Sequence, residues 1–275
     1  MSFFERLVHL LEYKVTTPKV FGTYHIICLL LTIVAAILLV KFFKNASDRT
    51  IRILLFAVWC TITILEICKQ LESSFDLDQF GYPVWSYLWH SFPFQFCSTP
   101  YYCLPFMIFL PEGFVRRAFT AFFAGFSFFA GLVVMIYPGD VFCATLVINI
   151  QTMILHGSMV ALGILMVAHS RKQMKLRYFA GSLAIFYVFA IIAIILNETL
   201  YQFVLIDMPS AAVNLFFISR YYPCTLPILS DVYKAVPYGW YLVIYFVGFT
   251  FASALIYFIE KGILLLIEKI GKKKA

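Results

Sequence analysis

Charged residues are scarce in this sequence of 275 residues. Only 13% of the residues are charged and 63% are hydrophobic, and the mean hydropathy is +0.90. A soluble domain of this length needs a larger share of charged side chains to cover its surface. The composition therefore excludes a soluble globular protein and indicates one that resides in a lipid bilayer.

Sequence motifs for metals and phosphates are missing as well. The seven cysteines include no CxxC pair and no Cys/His spacing suited to zinc, and there is neither a glycine-rich phosphate loop nor an internal repeat. We therefore expect no metal and no other cofactor. The net charge of +7 does not point to nucleic acid, because Lys and Arg in a membrane protein mainly record topology and contact with anionic lipids. Membrane lipids are the expected partners.

What the chain does contain is a series of apolar runs, each near the length that crosses a bilayer. They predict an all-α polytopic membrane protein with seven transmembrane helices, at Phe21–Phe42, Ile51–Ser73, Phe92–Leu110, Arg117–Tyr137, Ala144–Ala168, Tyr178–Ile206 and Pro237–Glu260. Residues 1–20 read as an amphipathic segment on the membrane surface, helical from Phe3 to Tyr13 and ended near Pro18. Residues 21–260 form the transmembrane domain, and residues 261–275 form a basic cytoplasmic tail.

The basic residues indicate the orientation. About fifteen Lys and Arg residues follow the odd-numbered spans, against about five on the opposite face. The positive-inside rule then places the N-terminus outside and the C-terminus in the cytoplasm, and we expect the plasma membrane of a bacterium. Cys143 and Cys224 fall near span ends on the outer face, where a disulfide between them is one open alternative.

The fifth predicted span carries a polar strip. Thr145, Asn149, Thr152 and His156 are spaced by four, three and four residues, which aligns them along one side of a helix. Lipid cannot satisfy such groups, so the strip must face protein or trapped water. Ionisable residues in a span are candidates for function, and His156 is the first candidate here. A buried histidine that only serves packing is the alternative.

Other spans carry polar groups at a similar depth in the predicted topology, on the outer side. These groups are Glu66, Lys69, Gln95, Cys97, Asn197 and Glu198. Their coincidence in depth predicts one outward-facing site, with Pro93 and Pro100 breaking the third helix beside it. Glu66 and Lys69 are three residues apart and could instead only neutralise each other, and Cys97 could be inert packing.

Three short motifs resemble a known family. They are Pro93-Phe-Gln-Phe-Cys97, then Ile148 followed at a distance by His156-Gly157, and Asn214-Leu-Phe-Phe-Ile-Ser-Arg220. The pattern is similar to the YwaF-type bacterial integral membrane proteins, and through them to an animal transmembrane acyltransferase that remodels ether phospholipids with a cysteine and a histidine.

The resemblance implies that His156 is the family's histidine. It also implies that Asn214 lies in a loop that folds back over the site. Two positions depart from the pattern: Gln95 stands where bacterial members tend to have histidine, and Phe94 stands where the animal nucleophile follows the proline.

Three hypotheses follow. In the first, Cys97 attacks an acyl ester of a phospholipid with His156 as general base, while Glu66 or Asn149 orients the imidazole. Gln95 or Asn214 would then donate to the developing oxyanion. In the second, the polar groups bind a small polar or amphipathic solute for a carrier or receptor. In the third, the strip serves only helix packing in a membrane assembly. The residues assigned to substrate binding are Glu66, Gln95, Asn149, Thr152, Glu198, Asn214 and Arg220.

Overall fold

The computed structural model describes residues 2–169, 175–206, 208 and 211–274, and it is mostly helical. Its elements are α1 Phe3–Leu11, α2 Thr23–Phe43, α3 Asp48–Glu72, β1 Phe75–Leu77, β2 Pro83–Trp85, α4 Thr99–Phe109, α5 Phe114–Phe122, α6 Phe128–Ile136, α7 Leu146–His169, α8 Leu176–Leu200, α9 Leu229–Ala235 and α10 Tyr238–Lys274. Arg171 and Lys172, which enter the charge count, lie outside the described residues.

Within the described part of the chain, six helical stretches are long and apolar enough to cross a membrane. They are Thr23–Phe43, Asp48–Glu72, Phe114–Ile136, Leu146–His169, Leu176–Leu205 and Tyr238–Ile267. The protein is therefore a polytopic helical membrane protein. The stretch at Phe114–Ile136 joins α5 to α6 through a π-helical turn at Phe123–Ser127, and a second π-helical turn at Tyr201–Leu205 extends α8.

The third predicted span is broken, as Pro93 and Pro100 predicted, and its regular helix is shorter than the predicted Phe92–Leu110. Regular α-helix covers only Thr99–Phe109, and the residues before it form 3₁₀ turns at Trp89–Ser91 and Phe96–Ser98. Pro100 lies in the first turn of α4, where its missing N–H costs nothing, so the helix begins there rather than at Phe92.

This irregular segment nevertheless follows α3 along most of its length. Near one end, Gln70 Nε2 donates to the carbonyl of Ser91 over 2.7 Å. Further along, Trp59 Nε1 donates to the carbonyl of Tyr101 over 3.1 Å, and at the other end Arg52 Nη1 donates to that of Ile108 over 2.6 Å. We call the end where α3 finishes and α4 and α7 begin the upper end of the bundle, and the opposite end the lower end.

The all-α prediction also missed a small β-hairpin at the upper end. β1 and β2 pair antiparallel with Phe75 opposite Trp85, and their rings meet edge to face at 5.6 Å. Gly81 supplies the turn with a φ of 81°, a left-handed conformation that favours glycine. Aromatic cross-strand pairs stabilise such hairpins, and this pair lies in a stretch that looked like a plain loop.

The N-terminal segment lies over the upper end. Its helix α1 begins at a capping box formed by Ser2 and Glu5, and it ends at Leu11, well before Pro18. The backbone then pairs with the chain entering α7, since Val15 N donates to the carbonyl of Ala144 over 2.8 Å and Leu146 N donates to that of Tyr13 over 3.0 Å.

Helix α7 lies at the centre of the bundle and is the most buried of the six long stretches, whereas α2 is the least buried. Small residues permit this packing. A Cβ at Gly131 of α6 would lie 2.6 Å from Met159 Cβ and 2.9 Å from the carbonyl oxygen of His156, so only glycine fits there. Helix packing therefore sets the position of the His156 backbone.

Helix α10 continues without interruption through Lys274. The helix therefore has no break at Glu260, where the sequence predicted that the last span ends and a separate tail begins.

Candidate functional site

Glu66 is the centre of a buried polar network at the upper end. Its side chain accepts from Lys69 Nζ at 2.9 Å and from Gln70 Nε2 at 2.7 Å. Its other oxygen accepts from the Tyr101 hydroxyl at 2.9 Å and from Gln151 Nε2 at 3.0 Å. These four donors satisfy a carboxylate that is only 8% exposed, and they tie α3, α4 and α7 together.

The network extends toward the surface through Gln70. The Tyr87 hydroxyl donates to Gln70 Oε1 over 2.9 Å. Burial, with the nearby Glu66 charge as a second cause, raises the pKa of Tyr87 to about 12. The phenol therefore stays protonated at physiological pH and keeps its role as a donor.

His156 lies on α7 and is 2% exposed. Its Nδ1 is 2.6 Å from the carbonyl oxygen of Thr152, a contact that requires Nδ1 to carry the hydrogen. Nε2 is then the unprotonated nitrogen, and it is buried without a hydrogen-bond partner among the described residues. The prediction that Glu66 or Asn149 orients this imidazole is wrong, because the Thr152 backbone does so.

Cys97 lies in the 3₁₀ turn that leads into α4 and is partly buried. Its thiol makes no hydrogen bond with His156 Nε2, which has no partner among the described residues.

Further polar atoms in the described part of the chain are buried without partners. Besides His156 Nε2, they are Thr63 Oγ1, Gln95 Oε1 and Tyr245 OH. Most buried polar atoms in proteins find a partner, so such a group indicates space for water or for a ligand. Gln95 is two residues from Cys97, and Thr63 is one turn before Glu66 on α3.

A groove runs between α3 and α4 beside this network. Its volume is about 370 Å³, and its lining comprises Trp59, Thr63, Glu66, Ile67, Gln70, Leu71, Ser74, Pro93, Tyr101 and Tyr102. The Ile67 side chain on its rim is 54% exposed, so the groove opens to the side of the bundle rather than along its axis. A lipid could enter it from within the membrane.

Asn149 and Thr145 lie on the predicted strip but have structural partners. Asn149 Nδ2 donates to the carbonyl of Cys143 over 2.8 Å, and its Oδ1 accepts from the Cys143 amide at 3.1 Å. Thr145 Oγ1 accepts from Lys14 Nζ at 3.3 Å. Both side chains therefore hold the loop before α7. The Cys143 and Cys224 thiols are both free.

The loop before α9 folds back into the bundle, as the resemblance implies for Asn214. Asn214 itself is used within the loop: Nδ2 donates to the carbonyls of Tyr222 and Pro223, each over 3.0 Å, and Oδ1 accepts from the Ser219 amide at 2.8 Å. The amide therefore shapes the loop. It has no donor left for an oxyanion.

Two phenylalanines in this loop are in the left-handed region. Phe216 has a φ of 56° and Phe217 a φ of 60°, an uncommon conformation for residues other than glycine. Asn197 holds the loop through a pair of hydrogen bonds with the Leu215 backbone, at 2.8 and 3.0 Å. Phe216 then packs against Phe94 and Phe96, which flank Gln95. The loop thus supports the segment that carries Cys97.

Glu198 and Arg220 lie in a separate cluster at the upper end of α8. Glu198 Oε1 accepts from the Tyr221 hydroxyl at 2.5 Å and from Gln202 Nε2 at 3.1 Å. The Arg220 guanidinium lies 5.5 Å from the Tyr221 ring centroid. No hydrogen bond or ion pair within the described ranges links this cluster to Glu66. The structure therefore does not bring these two residues into the network.

Sequence reasoning missed Tyr101 and Gln151, although both bind Glu66 directly. A glutamine in the middle of an apolar run is itself a signal, because its amide must find a protein partner in the membrane. Tyr101 carried no such signal, since a tyrosine near a span end is equally typical of the membrane interface.

Comparison with protein families gives one match. The model of the TMEM164 family matches residues 20–259. The chain belongs to the TMEM164 family. The TMEM164 match starts just before α2 and ends inside α10, so it includes Cys97, His156 and the whole Glu66 network. Neither a curated protein nor a solved structure matches this TMEM164 member.

Proposed function

We propose that the protein transfers acyl groups between membrane lipids, with Cys97 as nucleophile and His156 as general base. The observation that carries the proposal is the free Nε2 of His156. It is a buried imidazole nitrogen with a lone pair, fixed in orientation by Thr152 and left without a hydrogen-bond partner among the described residues. A histidine that serves only packing normally uses both ring nitrogens, as His25 does with the Phe21 amide and the Met135 carbonyl.

The chemistry balances with these two groups. Nε2 of His156 takes the proton of the Cys97 thiol, and the sulfur attacks the ester carbonyl of a phospholipid. The lysolipid leaves with that proton and a thioester remains on Cys97. A hydroxyl of a second lipid then loses its proton to Nε2 and attacks the thioester, which regenerates the thiol.

A cation held near the site supports this chemistry. Glu66 keeps the Lys69 ammonium in place over 2.9 Å, and an ammonium there would stabilise an oxyanion beside Cys97. The Gln95 side-chain NH2 group is the remaining amide donor proposed to contact the oxyanion, because the Asn214 amide is committed to its own loop. Thr152 acts through its backbone as a positioning residue.

The groove between α3 and α4 supports a lipid substrate. It opens sideways through exposed apolar side chains, and its wall includes Glu66 and Tyr101 of the network. Acyl transfer is favoured over hydrolysis in such a place, because the acceptor hydroxyl of a lipid arrives from the membrane while water is scarce.

We further propose that the chain crosses the membrane seven times, with the N-terminus outside. The contacts of Gln70 and Arg52 with the segment Ser91–Phe109 lie 18 residues apart on α3, a rise of about 27 Å. This is close to the thickness of the hydrocarbon core, about 30 Å. The segment can therefore cross as a seventh, partly irregular span. The upper end with the acyl-transfer site would then face outward, in the plasma membrane of a bacterium, as in the YwaF-type proteins.

The test is acyl exchange followed by mass spectrometry. Purified protein is mixed with a diacyl phospholipid and an isotopically labelled lysophospholipid, in parallel with the variants Cys97→Ala and His156→Ala. We expect labelled diacyl product from the unmodified protein and a loss of at least a hundredfold in each variant. Cys103→Ala is the matched control, because Cys103 is a fully buried cysteine on α4, the helix that follows the turn with Cys97.

A binding protein for an amphipathic solute is the second candidate, favoured by the groove itself, whose mainly apolar wall carries the polar side chains of Glu66 and Gln70. It predicts no labelled product from any preparation. It also predicts that lysophospholipid binding persists in Cys97→Ala and is lost in Glu66→Gln. That pair of results would replace the acyltransferase proposal.

A further inference from the structure

A second site lies at the lower end, where α5 and α8 begin side by side. We propose that Arg117 and Arg177 bind the phosphate of an anionic membrane lipid there. Both guanidinium groups converge on the hydroxyl of Tyr178: Arg117 Nη1 donates to it over 2.8 Å, and Arg177 Nη2 donates to it as well. The Arg117 and Arg177 Cζ atoms lie 5.5 and 4.5 Å from the Tyr178 ring centroid.

Two cations that share one neutral oxygen repel each other, and the nearby carboxylates do not offset this charge. Glu112 pairs with Arg117, but it also accepts from Arg116 Nη1 at 3.1 Å. Arg177 has no carboxylate partner among the residues that the structure describes. An anion that accepts from both guanidinium groups would relieve this repulsion.

More positive charge lies close by. Lys261 on α10 is 5.8 Å from the Tyr257 ring, which stacks on Phe179 at 4.8 Å. The local excess of cations therefore favours a ligand with more than one negative oxygen.

Phosphate is the chemistry that fits two guanidinium forks. Each planar fork can present two parallel N–H groups to phosphate oxygens, which a single ammonium group cannot do. The apolar neighbours identify the source of that phosphate. Phe114, which packs on Tyr178 with ring centroids 5.9 Å apart, is 54% exposed, and Leu176 is 66% exposed. A phosphate bound here would lie beside apolar side chains at the beginning of two spans. A lipid fits this position, because its headgroup carries the phosphate and its acyl chains contact the apolar side chains.

The experiment measures thermal unfolding of the purified protein in nanodiscs. The discs contain phosphatidylcholine with increasing fractions of phosphatidylglycerol, and the variants are Arg177→Gln, Arg177→Lys and Arg49→Gln. The Arg49 variant is the matched control, because it removes one exposed cation at the lower end without touching Tyr178. Unfolding in pure phosphatidylcholine checks that each variant is folded.

We expect phosphatidylglycerol to raise the unfolding temperature of the unmodified protein and of Arg49→Gln to the same extent. The Arg177→Gln variant should need about fivefold more phosphatidylglycerol to reach half of that rise. The amount that Arg177→Lys needs should lie between those of the unmodified protein and Arg177→Gln. An equal loss in Arg49→Gln and Arg177→Gln would overturn the proposal, because it would reveal only a general attraction to an anionic surface.

A second arm separates the lipid from a soluble anion. Inorganic phosphate is added to the protein in neutral detergent without lipid. No rise in the unfolding temperature at millimolar phosphate supports a lipid ligand. A rise that disappears in Arg177→Gln would assign the site to a soluble anion and overturn the lipid assignment.

Discussion

Glu66 and Lys69 form an ion pair that is largely buried, with side chains 10% and 17% exposed. Removing one partner of a buried pair leaves the other charge uncompensated, which costs about 3–5 kcal/mol. Replacing both by apolar residues removes that cost. The pair therefore makes each member sensitive to single substitution.

The variants Glu66→Leu, Lys69→Leu and the double variant test this coupling. We expect each single change to lower the unfolding temperature of the purified protein. The double change should lower it by less than the sum of the two, because neither charge is then buried alone. Additive losses would mean that Tyr101 and Gln151 keep Glu66 satisfied without Lys69.

Individual residues show how far the sequence could predict this site. Glu66 and Lys69 were found because charges in an apolar run are expensive. Gln151 was passed over because it precedes Thr152 by one residue, which turns it about 100° away from the predicted strip on α7. Helical spacing of polar residues identifies one face of a helix at a time, whereas a central helix such as α7 has partners on several faces.

At the scale of helices, the contact between α6 and α7 has no spare room at Gly131. An added Cβ there would meet Met159 Cβ and the His156 carbonyl. Overpacking of this kind costs about 1–3 kcal/mol. It would also shift the backbone that carries His156.

We therefore expect Gly131→Ala to lower both the unfolding temperature and any activity that depends on His156. Gly248→Ala on α10 is the control, because nothing lies within 4 Å of its Cβ position and alanine favours helix. A Gly131→Ala protein with unchanged unfolding and unchanged acyl exchange would contradict the close contact between α6 and α7.

The end of α4 depends on arginines from other helices. Arg116, which is buried, donates to the Met107 carbonyl over 2.9 Å and to Asp48 Oδ1 over 2.5 Å. Sequence reasoning treated Arg116 and Arg52 only as markers of topology. It could not show that they satisfy the last carbonyls of a different helix.

Arg116→Gln should therefore loosen the lower end of α4. We expect a loss of about 1–3 kcal/mol from the unpaired Met107 carbonyl, with faster hydrogen exchange confined to α4 and the start of α3. Arg49→Gln, which removes a charge from the same end, should leave both readouts unchanged. Equal hydrogen exchange in the two variants would mean that Arg116 only contributes to the membrane orientation and does not hold the end of α4.

For the whole molecule, the number of crossings decides where the termini lie. Seven crossings place them on opposite sides of the membrane, and six place them on the same side. Periodicity and hydropathy predicted the long spans well. Pro93 and Pro100 predicted a break in the third span, but hydropathy could not reveal how much of the segment before α4 is irregular, because its residues are as apolar as those of a helix.

Single cysteines introduced at Ser2 and at Lys269, in a background without the native cysteines, test this topology. In intact cells, we expect a membrane-impermeant maleimide to label the cysteine at position 2 and to spare the one at position 269 until the membrane is opened. Labelling of both positions in intact cells, or of neither, would exclude an odd number of crossings.

The pairing of the N-terminal segment with the entry of α7 has a consequence for biosynthesis. Lys14 and its partner Thr145 are 131 residues apart in the chain. At about 5–20 residues per second, roughly 7 to 26 s pass between the translation of one and of the other. During that interval the segment after α1 lacks its partner, whereas α1 itself already has the β-hairpin to contact through Phe4 and His9. A nascent-chain crosslink from residue 14 should therefore capture lipid or insertion machinery first, and the chain itself only after α7 has emerged.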